Sequence, residues 1–387
     1  MQLLRTRLYL HLSFLLPILL SFHAGGAEEG FAPLFNGKDL SGWVPVNVAP
    51  GTFTVREGII VCTGKPTGVM RSERMYENFI IELEWRHLQS GGNAGLFIWG
   101  DPMTAKGTPF ARGIEVQILD NGYAAKGKNE LFTTHGDIFP IHGATMTPAG
   151  RVAKSGRRSF PAEELSRSAP EWNHYRVVAN NGEVRLSVNG KEVTVGKESS
   201  PRKGYLCLES EGSECHFRNI RIKELPSTQP TAAETARLAE GFTTLYTGVN
   251  LSGWLTPAPS GHWRSNDWRL ECDGKPGTPP LTTEKEFGDC VVILDWLAGA
   301  TPAKTGDVGS VALRGAEGAL VKLDAAQAGA CWRLQITLRG EEISLELDGK
   351  PSGEKRRVAN LPKRGPIVLR TAGGPVTFAN LFVRELK

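Results

Sequence analysis

Glutamate or glutamine residues lie two positions apart in two segments of the chain. In 113–120, Glu115 and Gln117 alternate with isoleucine and valine, and further along the chain Glu209 and Glu211 are two residues apart. Side chains on a β-strand point alternately to its two faces, so each pair shares one face. Two carboxyl groups held close together can bind a metal ion, or raise the pKa of one of them for acid–base catalysis.

These pairs predict a groove for a polar ligand on the face of a sheet. Glu115 and Gln117 are predicted to bind the substrate, and Glu209 and Glu211 to act in catalysis. The three glutamates are also candidate ligands for one divalent metal ion, whose identity such ligands leave open. The alternatives are an ordinary solvent-facing strand for the first pair and a solvated hairpin end for the second.

Two histidines and an aspartate fall within eight residues of a segment rich in glycine and proline. His135, Asp137 and His142 can meet at one metal ion, or form a base with an acid that orients it. Their spacing matches no standard zinc signature, and a histidine in a loop is usually only polar surface. We predict that the loop 121–160 folds over the groove and brings His135 or His142 to the substrate as the base, with Asp137 orienting it.

A glycine-rich segment supplies two further candidates for ligand binding. Tryptophan is a common platform for flat, half-apolar ligands, and Trp99 lies in the segment 91–100, which also contains Asn93. We predict that Asn93 and Trp99 bind the substrate. Core packing is the alternative for Trp99 or for its neighbour Phe97.

The chain contains the same sequence pattern twice, in the same order. The matched segments are 34–43 with 245–254, 64–66 with 274–276, 79–85 with 290–296, 189–191 with 348–350, and 217–225 with 378–386. The repeat indicates two copies of one domain, copy one at 28–226 and copy two at 241–387. They are joined by a polar linker, 227–240, rich in proline and threonine.

The second copy is shorter and lacks the predicted reactive residues. Trp43 and Trp254 are 211 residues apart but Phe217 and Phe378 only 161, so copy two has lost 50 residues. Most of the loss falls in the region that carries the two histidines. Non-acidic residues take the places of the four strand residues: Ala319, Val321, Arg370 and Ala372. We therefore expect copy one alone to fold and to carry all the activity.

Composition and turn signals predict an all-β chain. The 45 glycines and 24 prolines suit short strands joined by tight turns. Asn-Gly pairs at 181–182 and 189–190 are typical of hairpin turns, and a helical turn is expected only near 161–165. The pattern predicts two tandem jelly-roll β-sandwiches, the second shorter and degenerate.

The first residues have the order of a secretory signal. Arg5 and Arg7 precede an apolar run, 8–20, and small residues follow at 24–27. We predict a signal peptide, 1–27, and a periplasmic or secreted protein without a membrane span after cleavage; the alternative is an uncleaved anchor. The net charge of +4 gives little support for nucleic acid as a partner.

Export permits disulfides, and the chain has six cysteines without a Cys-x-x-Cys pair. Cys207 and Cys215 flank a glycine turn, so they are candidates to face each other on a hairpin. Buried free thiols are the alternative for all six.

Five ordered segments of copy one resemble the 3-keto-disaccharide hydrolase domain family. They are 34–43, 91–97, 113–119, 171–176 and 217–222. Copy one resembles the family strongly and copy two weakly. The resemblance implies a concanavalin A-like lectin/glucanase fold and an exported bacterial enzyme that acts on 3-keto sugars.

The implied substrate suggests a reaction. A ketone at C3 acidifies the C2 proton, so a base can remove it, the C1 substituent can leave, and water can then add. The enolate oxygen needs a stabilising group, for which a divalent metal on the glutamates is one candidate. The alternatives are direct hydrolysis by paired carboxylates and a lectin-like protein that binds glycans without catalysis, a role also open to copy two.

Overall fold

The computed structural model describes residues 29–123, 135–237, 241–255, 260–298, 307–324 and 330–387. The predicted signal peptide lies outside these residues. Among them, no helix is long and apolar enough to cross a membrane.

Copy one is a sandwich of two antiparallel sheets. Its strands are β1 Ala32–Pro33, β2 Trp43–Pro45, β3 Phe53–Arg56, β4 Ile59–Cys62, β5 Gly68–Ser72, β6 Phe79–His87, β7 Asn93–Gly100, β8 Gly113–Leu119, β9 Ile138–Ile141, β10 Thr145–Ala149, β11 Arg151–Val152, β12 Ser159–Phe160, β13 Asn173–Asn180, β14 Glu183–Val188, β15 Lys191–Ser200, β16 Tyr205–Ser210 and β17 Cys215–Glu224. The back sheet has the order β10-β15-β14-β13-β6-β17-β4-β3, with β1 on β17. The front sheet has the order β11-β12-β9-β8-β7-β16-β5-β2.

Copy two repeats this arrangement with fewer strands. Its strands are β18 Thr243–Thr244, β19 Trp254–Leu255, β20 Trp263–Asn266, β21 Arg269–Cys272, β22 Leu281–Phe287, β23 Cys290–Ala298, β24 Asp307–Ala312, β25 Leu320–Asp324, β26 Cys331–Arg339, β27 Glu342–Leu347, β28 Lys350–Pro351, β29 Arg356–Arg357, β30 Gly365–Thr371 and β31 Val376–Glu385. Its back sheet is β20-β21-β31-β23-β26-β27-β28, with β18 on β31 and β29 on β27, and its front sheet is β19-β22-β30-β24-β25. The prediction of two tandem β-sandwiches is confirmed.

Strand alternation builds the core of copy one. In β13 every second residue is buried, among them Tyr175 and Val177, and these side chains pack between the two sheets. β8 differs, because all seven of its residues are buried. Its outer face, which carries Glu115 and Gln117, is therefore covered as well as its inner face.

The outer face of the front sheet of copy one packs against the back sheet of copy two. An apolar cluster joins them: Val46, Val69, Phe97, Tyr205 and Cys207 from copy one, and Val291, Ile293 and Phe382 from copy two. The repeat aligns Ile293 and Phe382 with Glu82 and Arg221 of copy one, whose own back sheet carries that pair as an ion pair of 2.6 Å. Copy two is thus apolar on the face that copy one covers.

The described part of the predicted loop 121–160 is largely strand. β9, β11 and β12 extend the front sheet at its edge, and β10 joins the back sheet. The prediction that this segment lies over the groove is wrong for 138–160, because Ile138 and Phe160 are buried as part of the sheet. Residues 124–134 lie outside the described part of the chain.

Two shorter elements complete the chain. The described part of the predicted linker contains one 3-10 turn, Ala232–Glu234, and Arg202 of copy one pairs with Glu234 at 2.8 Å. A second 3-10 turn is Glu317–Ala319. The helical turn expected near 161–165 is absent, although these residues are described.

All six cysteines lie in the described residues and all are free thiols. Cys207 and Cys215 do not face each other on a hairpin, because β16 and β17 belong to different sheets. Cys207 instead packs in the apolar cluster between the copies.

Candidate active site

Three neighbouring strands of the front sheet, β8, β7 and β16, bring the predicted acidic pairs together. Glu115 lies opposite Phe97, and Gln117 lies opposite Gly95. On the other side of β7, Cys207 lies opposite Phe97, which sets Glu209 beside Gly95. The side chains at these positions point to the same outer face, because the residues between them face the core.

The carboxyl groups of Glu115 and Glu209 converge over Gly95. A Cβ atom at Gly95 would lie 2.8 Å from Oε2 of Glu209 and 3.2 Å from Oε1 of Glu115, so these two oxygens are within about 6 Å of each other. Glu209 is 1% exposed and Glu115 7%. Glycine at this position leaves the space that the two carboxyl groups share.

A chain of polar side chains connects Gln117 to Glu211. Gln117 donates from Nε2 to Oδ1 of Asn93 at 2.9 Å and to the carbonyl oxygen of Ala94 at 3.1 Å. Asn93 in turn donates from Nδ2 to Glu211. Asn93 and Glu211 are half-buried, so they form the more open side of the pocket.

Burial of several carboxyl groups in one place shifts their pKa values upward. Burial, and then the charge of Glu211, raises the pKa of Glu115 to about 8, although Arg158 opposes the shift. Burial and the charges of Glu115 and Glu211 raise the pKa of Glu209 well above its ordinary value. Burial also raises the pKa of Glu211, against a hydrogen bond with Glu209. The pocket therefore favours the protonated form of Glu209.

One oxygen in the pocket lacks a donor among the described residues. Oε2 of Glu209 is buried and accepts no hydrogen bond from any of them. Buried polar atoms in folded proteins are almost always paired, so an orphan atom requires an explanation. A polar ligand that donates a hydrogen bond to Glu209 is an explanation that fits the chemistry of this oxygen.

Arg158 supplies a positive charge beside this pocket and was not among the predicted site residues. Its guanidinium pairs with the fully buried Asp137 at 3.0 Å and lies 3.5 Å from the centre of the Phe139 ring. Asp137 was predicted to orient a histidine and instead holds an arginine. No sequence pattern singles out Arg158, because the contacts that place it join residues 21 positions apart in the chain.

His135 is part of the packing and not an accessible base. It is fully buried; Nδ1 lies 2.8 Å from Oγ of Ser166, and Nε2 accepts from the backbone N–H of Leu165 at 3.3 Å. Burial lowers its pKa to about 4. Both ring nitrogens are engaged, so this geometry does not support the prediction that His135 takes a proton from a substrate.

His142 lies on the surface, in the turn that follows β9. Its backbone is left-handed, with φ of 51°, and its ring stacks on Phe110 with centroids 6.2 Å apart. Phe110 packs in turn against Phe97. Within the described residues, no side-chain hydrogen bond or ion pair orients the His142 ring, which leaves its predicted role as the base without a partner acid.

Trp99 belongs to the core, so the prediction that it binds substrate is wrong. The pairing of β7 with β16 shifts register between Tyr205 and Cys207, and Trp99 has a left-handed backbone with φ of 54°. Such a bulge interrupts alternation and turns both Ile98 and Trp99 inward. The indole of Trp99 donates to the carbonyl oxygen of Glu77 at 2.7 Å.

The metal site predicted on the three glutamates stays a prediction. In the described part of the chain, no group of three His, Cys, Asp or Glu side chains is arranged to hold a metal ion.

Comparisons with known proteins point to one family. Residues 30–223 match the model of a family described as a 3-keto-alpha-glucoside-1,2-lyase-like domain. No curated protein matches the chain.

Several solved structures are similar to part of the chain. One is a protein of Parabacteroides distasonis ATCC 8503 assigned as a glycosyl hydrolase, 22% identical, with a TM-score of 0.38; the match covers 51% of this chain and 95% of that one. Another is the carbohydrate-binding module CBM66 of Bacillus subtilis, 13% identical, with a TM-score of 0.34 and coverage of 48% and 97%. A third is a β-glucanase of Bacillus licheniformis, 12% identical, with a TM-score of 0.32 and coverage of 51% and 97%.

Proposed function

Since the chain belongs to the 3-keto-alpha-glucoside-1,2-lyase-like family, we propose that it cleaves the glycosidic bond of 3-keto-glycosides by elimination. The observation that carries the proposal is the pocket over Gly95, where the buried Glu209 with its orphan oxygen lies beside Glu115 and Glu211. We also propose that the protein is exported, because of the order of residues in 1–27.

The proposed reaction needs a base, an acid and a group that stabilises an enolate. The base removes the proton from C2, and the electrons of the C–H bond form an enolate with the oxygen on C3. The C1–O bond then breaks, C1 and C2 become joined by a double bond, the C3 ketone re-forms, and the departing oxygen takes up a proton. Addition of water to the double bond gives the free 3-keto sugar.

The pocket offers a candidate for each role. Glu211 is the best candidate for the base, because it lies on the open side and accepts a hydrogen bond from Asn93. The raised pKa of Glu209 favours its protonated form, so it can donate a proton to the departing oxygen. Glu115, protonated below its pKa of about 8, can donate a hydrogen bond to the enolate oxygen, and the charge of Arg158 lies on the same side.

Direct hydrolysis is the second candidate, and the spacing of two carboxyl groups favours it. Retaining glycosidases hold their two carboxyl groups about 5–5.5 Å apart, and Glu115 and Glu209 are within about 6 Å. Such an enzyme needs no ketone at C3. The choice of substrate therefore separates the two reactions.

The test is incubation of the purified protein with a 3-keto-glucoside and with its unoxidised parent, followed by proton NMR. With the reaction run in D2O, elimination followed by addition of water predicts deuterium in place of the C2 proton, and release of the aglycone from the 3-keto sugar only. Release from the parent as well would favour direct hydrolysis, and binding of either sugar without turnover would favour a lectin. A parallel assay with a chelator tests separately whether a metal ion is needed.

A further inference from the structure

The candidate active site lies along the edge of the interface between the two copies. Phe97 and Cys207 pack against copy two, and the next outward positions on their strands, Gly95 and Glu209, belong to the pocket. Positions two apart on a strand are separated by about 7 Å. Copy two therefore borders the pocket directly.

One contact from copy two reaches a loop of copy one beside the acidic residues. The backbone N–H of Thr67 donates to Oδ1 of Asp267 at 2.7 Å. Asp267 lies in the turn between β20 and β21, and its charge contributes to the electrostatic environment of Glu211. Close packing accompanies this contact, since a Cβ atom at Gly248 would lie 2.5 Å from Cβ of Pro66.

The loop that Asp267 holds is bonded to the strand end that carries the glutamates. Ser210 donates from Oγ to the carbonyl oxygen of Pro66 at 2.8 Å, and the N–H of Gly212 donates to the carbonyl oxygen of Gly64 at 2.7 Å. Glu211 lies between these two residues. A shift of the loop 64–67 would therefore move Glu211.

Copy two also holds the loop that leads into β8 and Glu115. The fully buried Asp295 accepts from the N–H of Gly107 at 2.8 Å and pairs with Arg333 at 2.6 Å. Arg333 donates to the carbonyl oxygen of Thr104 at 2.9 Å, and Asn380 donates to that of Thr108 at 2.9 Å.

Comparison of the copies shows that these residues serve the interface. Asp295 and Arg333 occupy the places of Glu84 and His174 in copy one. There, Glu84 pairs at 2.7 Å with Arg218 of its own sheet. Copy two lacks the glutamates that form the pocket of copy one. Its own polar groups bind the backbone of copy one on two sides of that pocket.

We propose that copy two completes the active site of copy one and that Asp267 is a positioning residue, which fixes the loop 64–67 and through it Glu211. The expectation that copy one carries all the activity by itself is replaced by this proposal. The inference rests on the proposed function for its kinetic effect, but the contact between Thr67 and Asp267 can be tested without it.

The experiment uses the full chain with Asp267→Ala, Asp267→Asn and, as a control, Asp324→Ala, which removes an exposed aspartate of copy two. Asparagine keeps an oxygen that can accept from Thr67, whereas alanine does not. We expect Asp267→Ala to lower kcat on a 3-keto-glucoside about tenfold or more with a small change in KM. Asp267→Asn should recover kcat to within about threefold of wild type, and Asp324→Ala should leave it unchanged.

Hydrogen–deuterium exchange at Thr67 is the second readout. Exchange of this amide should be faster in Asp267→Ala than in wild type, and slow again in Asp267→Asn. Wild-type kcat in Asp267→Ala, or equal loss in both Asp267 variants, would overturn the proposal. If wild-type protein turns over no 3-keto-glucoside, the proposed function fails, and unchanged exchange at Thr67 in Asp267→Ala would then refute the positioning role by itself.

Discussion

The carboxyl oxygens of Glu115 and Glu209 face each other across Gly95, at 3.2 and 2.8 Å from the point where a side chain at Gly95 would begin. The two residues come from β8 and β16, which are separated by β7 and by about ninety residues of sequence. The pocket depends on glycine at position 95 as much as on the carboxyl groups of Glu115 and Glu209.

Gly95→Ala should therefore abolish activity with little effect on folding. The new methyl group would meet Oε2 of Glu209 below 3.0 Å and displace both carboxyl groups. We expect kcat to fall by about 10² or more, since a misplacement of about 1 Å can cost that much. Gly51→Ala is the control, because a Cβ atom there meets nothing within 4 Å. Activity within a few-fold of wild type in Gly95→Ala would remove the two glutamates from the site.

Glu209→Gln tests the proposed acid. Glutamine has the shape of a protonated glutamate but donates no proton to a leaving group, so kcat should fall by about 10²–10⁴. The thermal midpoint at pH 7 should change by only a few degrees, because the raised pKa of Glu209 favours its uncharged form. Glu73→Gln changes an exposed carboxylate and serves as the control. Unchanged kcat in Glu209→Gln would assign the proton to another group.

Glu115 makes stability depend on pH. Its pKa is about 8 in the folded protein against 4.5 for the ordinary side chain, so the native state binds more protons than the unfolded state between these values. The free energy of unfolding therefore falls as pH rises from about 4.5 to 8 and levels off above that. We expect Glu115→Gln to stabilise the protein more at pH 8.5 than at pH 5, as measured by urea unfolding. A gain that is equal at both pH values would contradict the raised pKa.

Much of the front sheet follows from the sequence, since alternation in 113–119 and the spacing of Glu209 and Glu211 place their side chains on one face. Alternation could not place Trp99, because a bulge at one residue reverses the pattern of inward and outward side chains. The local sequence does not indicate this bulge. His135 was misjudged for a different reason. Its partners, Leu165 and Ser166, are thirty residues away, and the residues near His135 do not reveal them.

One strand of copy two has a sequence pattern that indicates the interface between the copies. The run 291–294 of β23 is apolar at every position, which is typical of a strand covered on both faces. The apolar run does not show which surface covers β23. Its partners, Phe97 and Tyr205, lie in the other copy.

His135→Gln should lower stability more than activity. The substitution disturbs two hydrogen bonds of a fully buried side chain, at a cost of about 1–3 kcal/mol in the free energy of unfolding. We expect kcat on a 3-keto-glucoside to stay within a few-fold of wild type. His142→Gln, at an exposed position, should change stability by less than about 0.5 kcal/mol. A loss of kcat by about 10² in His135→Gln with unchanged stability would restore His135 as the base.

Asp295→Ala should weaken the whole two-domain unit. The fully buried Asp295 carboxylate is the common partner of Arg333, Asn380 and the N–H of Gly107. Its removal leaves the partly buried guanidinium of Arg333 without its counter-charge, and breaking such a pair costs about 3–5 kcal/mol. We expect the free energy of unfolding to fall by about that amount in urea titrations, with faster amide exchange in 104–108. Asp324→Ala, at an exposed position of the same copy, should change stability by less than about 0.5 kcal/mol. If Asp295→Ala is as stable as wild type and exchange in 104–108 is unchanged, the contacts of Asp295 contribute nothing to the interface.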